Sequence, residues 1–256
     1  MNEQIQRLSH ELRLFGIHAN FEARAAQATS RGYHPLEFLH LLLEDERLYR
    51  KDRLGKSLTT RAKFRHLCDL EDWDAGYDRG INKAQLKDLA ALNFYRDNTN
   101  LHILGKTGEG KTQLAIAVGK RLCQEGLSVA LLPMSLLFEE VSANRSSGTL
   151  LGYLRRLAQT KVLIFDDWGL RNYTHDEATI LVEILEARAK KGPVIVTSQV
   201  NPNAWMKLFE DPAIAEAVTD RLRNPSHKIM LKGGSYRERL QPQKQETLAK
   251  TNAMRQ

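Results

Sequence analysis

Cysteine is scarce in this chain. Only Cys68 and Cys123 occur in 256 residues, far apart and without metal-ligand spacing. A disulfide scaffold and a structural zinc site are therefore excluded, and a reducing cytoplasm is the expected setting. No apolar run approaches the roughly 18 residues that cross a bilayer, so no membrane partner is expected. Met1 to Leu14 lacks the apolar stretch and small-residue cleavage site of a secretory signal. There is no internal repeat, and the 8 histidines are scattered without ligand spacing. Hydrophobic residues at 42% and charged residues at 27% are ordinary for a globular protein and exclude wholesale disorder.

Charge is present in excess and unevenly spread. The chain carries 38 basic and 31 acidic side chains, a net +7. Arg47 to Arg65 holds 8 basic residues and 1 acidic, and Arg221 to Gln256 holds 9 and 2, so each block is locally +7 and the remaining chain is net −7. Two basic blocks on an acidic body point to a polyanion such as nucleic acid, with solvated helix faces as the competing explanation.

Residues 1–66 read as helices. Ile5, Leu8, Leu12 and Phe15 recur at helical spacing and run to Gly16, which fits the residue just past a helix end. A second stretch covers Asn20 to Ser30. A third begins at Pro35, carries Leu36, Leu39, Leu42 and Leu43 on one face, and continues into the first basic block. Residues 67–81 read as a linker. Beyond them the pattern changes to short apolar runs, Leu101–Leu104, Val129–Leu132, Val162–Phe165 and Val194–Thr197, separated by helical stretches such as Gln113–Gln124 and Ala178–Lys190. Buried strands alternating with helices predict an α/β fold over 82–240, a parallel sheet flanked by helices. The polar residues 241–256 lack an apolar face and read as a disordered basic tail.

Gly105-Lys106-Thr107-Gly108-Glu109-Gly110-Lys111-Thr112 matches G-x-x-x-x-G-K-[ST] at every fixed position, after a strand and before a helix. Glycines let the backbone turn its N–H groups toward phosphate oxygens, and the helix N-terminus adds partial positive charge. Lys111 is expected at the β- and γ-phosphates of ATP, and the Thr112 hydroxyl on Mg²⁺. Val162 to Phe165 ends in Asp166-Asp167. Asp166 is the expected second holder of the metal, and Asp167 is placed to orient or deprotonate the attacking water. Where many ATPases carry Glu, Asp167 is one methylene shorter, so slow hydrolysis is expected. Thr197-Ser198-Gln199 reads first as an ordinary strand terminus, and alternatively as a polar group reaching the γ-phosphate.

In order and spacing, several segments together resemble the IstB family, ATPase helpers of insertion-sequence transposition and a branch of the AAA+ ATPases close to the DnaC helicase loaders. They are Phe38–Glu44, Gly105–Thr112 with Gln113–Ala117, Ile164–Gly169, Val196–Gln199, Asp220-Arg221-Leu222 and Gly234-Ser235-Tyr236-Arg237. The resemblance implies an AAA+ P-loop NTPase behind a small all-helical N-terminal domain that binds DNA or assembles. It also implies that Gln199 or Ser198 is the γ-phosphate sensor, that Arg221 is the arginine finger given to a neighbour's ATP, and that Arg237 is the second sensor arginine.

The expected function is an ATPase that oligomerises on duplex DNA, as a ring or helix, and recruits a bacterial transposase. The candidate phosphate contacts are Arg47, Arg50, Lys51, Arg53, Lys56, Arg61, Lys63 and Arg65. The alternatives are a DnaC-like helicase loader, a small-molecule kinase, and a nucleotide-loaded scaffold that scarcely hydrolyses.

Overall fold

The computed structural model describes residues 2–71, 73, 80–188 and 191–234. Three helices open the chain: α1 (Asn2–Glu11), α2 (Phe15–Arg31) and α3 (Pro35–Arg61). Gly16 does not end the first helix, as its position after an amphipathic run predicts. It lies in the first turn of α2, and a Cβ there would come within 2.6 Å of the Glu46 Cα on α3. The glycine permits close helix approach; the left-handed cap is Gly32, at φ +63°.

The close approach has a polar purpose. The start of α2 has no side-chain cap of its own. Glu46 reaches across from α3 instead, accepting from Gly16 N at 2.7 Å and Ile17 N at 3.3 Å. A carboxylate there satisfies orphan amides and complements the helix dipole. Beside it, Arg24 forks onto Asp45, both bonds at 2.8 Å.

Helix α3 is 27 residues long and belongs to two regions. Its start carries a capping box between His34 and Glu37, with Pro35 in the first turn. Its first half packs on α2; its second half brings Leu58, followed by Ala62 just past the helix end, into the apolar layer under the sheet. Residues 67–81, read above as a linker, contribute Leu70 and Trp73 to that same layer.

Next come α4 (Lys83–Ala91), α5 (Asn93–Arg96), β1 (Asn100–Leu104), α6 (Lys111–Gln124) and β2 (Val129–Pro133). Then follow α7 (Met134–Ser146), α8 (Leu150–Gln159), β3 (Val162–Trp168), α9 (His175–Ala187) and β4 (Val194–Ser198). A 3₁₀ turn at Pro202–Leu208, α10 (Pro212–Arg223) and β5 (Ser226–Met230) complete the described chain. All pairings are parallel, in the order β2-β3-β4-β1-β5. The expected four strands are present, β3 runs on through the acidic pair, and β5 is a fifth that the apolar runs do not announce.

Side chains alternate between two buried layers, as the two-residue period of a strand requires. On β3, Val162 and Ile164 join the layer beneath α6, whereas Leu163 and Phe165 face α9 and α10. Trp168 and Trp205 are fully buried in that second layer, as packing residues. Cys123 is buried, which pushes its thiol up to about 11.

Candidate nucleotide site

Strand order decides what can meet. β1 delivers the glycine loop and β3 the acidic pair, with β4 between them. Strands lie about 4.8 Å apart, so the two halves of the site are separated by one strand, and the end of β4 must bridge them.

The loop leaves β1 through Gly105 and turns through Gly108 at φ +85° and Gly110 at φ +90°, left-handed values that favour glycine. A Cβ at Gly105 would lie 3.2 Å from Leu231, so the following chain closes on the loop from the far side. Lys111 is buried in the first turn of α6 and its Nζ donates to Lys106 O at 2.8 Å, curled back over the loop. Glu109, also buried, accepts from Lys106 N at 2.5 Å, so one loop amide already holds an internal carboxylate.

Thr112 donates to Asp166 Oδ1 at 2.8 Å, and Thr197 on β4 donates to the same oxygen at 2.6 Å. Thr197 Oγ1 also accepts from Asp167 N at 3.0 Å. Asp167 stands at φ +61°, left-handed for a non-glycine residue, where the β3–β4 register slips between Phe165 and Trp168. Hydroxyls clamp this irregular segment residue by residue. Thr197 takes Asp167 N, Ser198 Oγ donates to Trp168 O at 2.7 Å, and Tyr173 Oη accepts from Gly169 N at 2.9 Å. Thr197 lies in the tripeptide read above as a strand terminus or a group near the γ-phosphate, but its role as a clamp on Asp166 and Asp167, like that of Tyr173, carries no signal in the sequence.

Ser198 is buried and committed to backbone partners. Gln199 is exposed, and its Oε1 accepts from Thr107 of the loop at 2.8 Å. Of the two sensor candidates, Gln199 is therefore the one that touches the loop.

Arg221 lies at the other end of the sheet. Asn100, where β1 begins, donates from Nδ2 to Arg221 O at 2.8 Å and to Leu222 O at 3.0 Å. The glycine loop follows the end of β1, five residues or about 16 Å away. The Arg221 side chain donates to Glu186 Oε1 at 2.9 Å and Ala217 O at 2.8 Å. Arg237 lies outside the described residues, as does the expected tail. The described chain leaves β5 with Leu231 N donating to Leu104 O at 2.8 Å, beside the loop.

The donor set fits a magnesium nucleotide. A threonine hydroxyl and a carboxylate oxygen sit 2.8 Å apart below the loop, an all-oxygen pair of the kind a small hard cation prefers. Positive φ angles at Gly105, Gly108 and Gly110 curl the backbone as a phosphate-binding loop requires. Among the described residues no group of three or more His, Cys, Asp or Glu side chains could hold a metal by itself. A metal here would therefore need ligands from the nucleotide or water.

A glycine loop on β1, an acidic pair on β3 and a five-stranded parallel sheet in this order define a P-loop fold of the AAA+ kind. The fold is shared with solved structures. A crystal structure of DnaI gives a TM-score of 0.55 at 20% identity, covering 64% of this chain and 91% of that one. The DnaC helicase loader gives 0.51 at 20%, covering 62% and 98%. Within the class, the model of the IstB-like ATP binding protein family matches residues 7–245, and the chain belongs to that family. An ATP-binding protein in an insertion sequence of Mycobacterium tuberculosis is 34% identical over 232 residues, 90% of this chain and 92% of the relative.

Proposed function

We propose that this protein is an ATP-dependent DNA-binding helper of transposition. It assembles on duplex DNA with ATP, recruits and stimulates a transposase there, and is reset by hydrolysis. The supporting observation is the split between the two edges of the sheet. Lys111, Thr112, Asp166 and Asp167 stand at the carboxyl edge, while Arg221 stands at the amino edge. An arginine whose main chain lies beside Asn100, about 16 Å along β1 from the loop, is placed to serve a neighbour's pocket rather than its own. ATP then stabilises the contact between subunits, because only the ATP-bound state gives Arg221 a partner across the boundary.

In the pocket, Lys111 holds the β- and γ-phosphates and Gln199 reads the γ end. Thr112 and Asp166 would hold Mg²⁺, which would supply neutralising charge to the phosphate oxygens. Asp167 orients a water whose oxygen attacks the γ-phosphorus. The bond to the β-γ bridging oxygen breaks, ADP departs with that electron pair, and Asp167 takes the water proton. The cytoplasm of a bacterium, where ATP and DNA meet, is the setting we infer.

Electron microscopy of the protein with duplex DNA, comparing ATP, ADP and no nucleotide, tests the reading. Ordered assemblies are expected only with ATP. Arg221→Ala should abolish them while leaving ATP binding by single subunits intact, and Asp167→Asn should form them while losing about 100-fold or more in phosphate release. Monomers under all three conditions would overturn the mechanism. Capture of a replicative helicase in preference to a transposase would favour the loader alternative.

A further inference from the structure

The eight cations of the first basic block are not equivalent. Arg47 pairs with Glu44 at 2.7 Å, Arg50 with Glu46 at 2.6 Å, Lys51 with Glu125 at 2.7 Å and Lys56 with Asp52 at 2.7 Å. Arg53 lies over the Phe15 ring at 5.9 Å. A phosphate arriving at these positions must displace an internal partner. Arg61, Lys63 and Arg65 are exposed and make no ion pair among the described residues.

Those three also differ in how they are held. Along Arg61-Ala62-Lys63-Phe64-Arg65 the cations point outward and the apolar residues inward. Ala62 is buried in the layer beneath the sheet, and the Phe64 ring lies so close over α6 that a Cβ on Gly119 would meet it at 2.8 Å. Lys63 takes a left-handed turn at φ +55° that carries the chain off the helix end. The charges are thus mounted on backbone anchored to α6, so less freedom is lost when they bind. Gly119 is eight residues, about 12 Å along the helix, from Lys111 at its start.

We propose that Arg61, Lys63 and Arg65 form the prong that grips the sugar-phosphate backbone of duplex DNA, and that its footing on α6 passes DNA engagement to the phosphate loop. The inference rests on the DNA-binding reading above and says which cations carry it. Stabilising a helix C-terminus could account for Arg61, but Lys63 and Arg65 lie beyond the helix.

Fluorescence anisotropy with a short random-sequence duplex, using the full chain with ATP at several salt concentrations, provides the test. Arg61→Ala/Lys63→Ala/Arg65→Ala should lose about tenfold or more in affinity and lower the salt slope by about 2 to 3. Its ATP affinity without DNA should be unchanged. Arg47→Ala/Arg50→Ala/Lys56→Ala should lose less than about threefold, and Arg61→Lys/Arg65→Lys should remain near the parent. Phe64→Leu should keep the DNA affinity measured without nucleotide but lose the DNA-induced gain in ATP affinity, and with it the equal ATP-induced gain in DNA affinity. Equal losses in the two triple variants, or none in the first while the parent binds, would overturn the prong and leave the DNA reading standing. A full gain in Phe64→Leu would overturn the coupling. A parent that binds no duplex would overturn both the proposal and the reading beneath it.

Discussion

The helical bundle at the N-terminus and the ATPase core are held together by different physics. In the core, Trp168, Trp205, Phe165 and Ile164 show no exposure, and two continuous apolar layers cover both faces of the sheet. In the bundle, Leu12 is 66% exposed and Leu36 69%, while the best-buried positions include Ser9, Asp45 and Glu46. Arg188 in the core is buried too, but its guanidinium answers main-chain carbonyls such as Leu157 O at 2.8 Å and Lys161 O at 3.1 Å. Burial at about 25 cal/mol per Å² specifies and stabilises together. Directional pairing specifies geometry yet adds little net stability, because each charge gives up water. The nucleotide site thus sits on the half held by apolar packing, and the bundle is the half held by directional pairing.

The contrast can be broken first by acid. Burial, together with the nearby Lys228 and Arg223 charges, holds His102 on β1 down at about 4, with its Nε2 2.8 Å from Leu222 O. A folded value below the ordinary 6.5 means full stability above pH 6.5, lost as pH falls toward 4, up to about 3 kcal/mol. Urea titrations across that range should show the loss, and His102→Gln, which cannot charge, should flatten it. Asp45 and Glu46 are also held below their usual values. For Asp45 the hydrogen bond from Arg24 is the main cause. For Glu46 burial pushes upward but is outweighed by Arg50 and the Gly16 and Ile17 amides. Their contribution is complete only above the ordinary carboxylate values, 3.8 for Asp45 and 4.5 for Glu46, and is lost as pH falls through the lowered values. Two acid windows follow, with that of the core at the higher pH.

A smaller effect tests the clamp. Thr197→Val should lower kcat for phosphate release about tenfold with little change in KM, and Thr197→Ser should restore it. Parallel losses in kcat and ATP affinity, without rescue by Ser, would mean that Thr197 only supports the fold. Smallest is Asp45→Asn, which should melt the bundle at a lower temperature while leaving binding of an ATP analogue by the core unchanged. A fall in analogue affinity would show that the two halves unfold as one.

What could be read in advance divides along the same line. The glycine loop and the acidic pair are local patterns, and central strands buried on both faces are unbroken apolar runs. β5 escapes because it lies at the sheet edge, where Ile229 is its only buried residue among exposed His227, Lys228 and Met230. Gly16 misleads because a glycine after an amphipathic run signals a helix end, whereas here a second helix requires its missing side chain. Thr197, Ser198 and Tyr173 act only once β4 is seen to lie between β1 and β3, a neighbour relation that no spacing in the chain encodes.

The continuity of α3 carries a mechanical consequence. Gly55 is seated against Gln124 Cα and the Cys123 carbonyl of α6, where a Cβ would be 3.1 to 3.2 Å away. Pro35 lies twenty residues before it, about 30 Å along an unbroken helix. With Gly55 as fulcrum, a tilt of about 5° in α6 swings the far end of this rod by roughly 2.6 Å, the arc that length subtends. A shift of α6 too slight to disturb the close-packed core would then become a displacement of ångströms at the far end of the bundle.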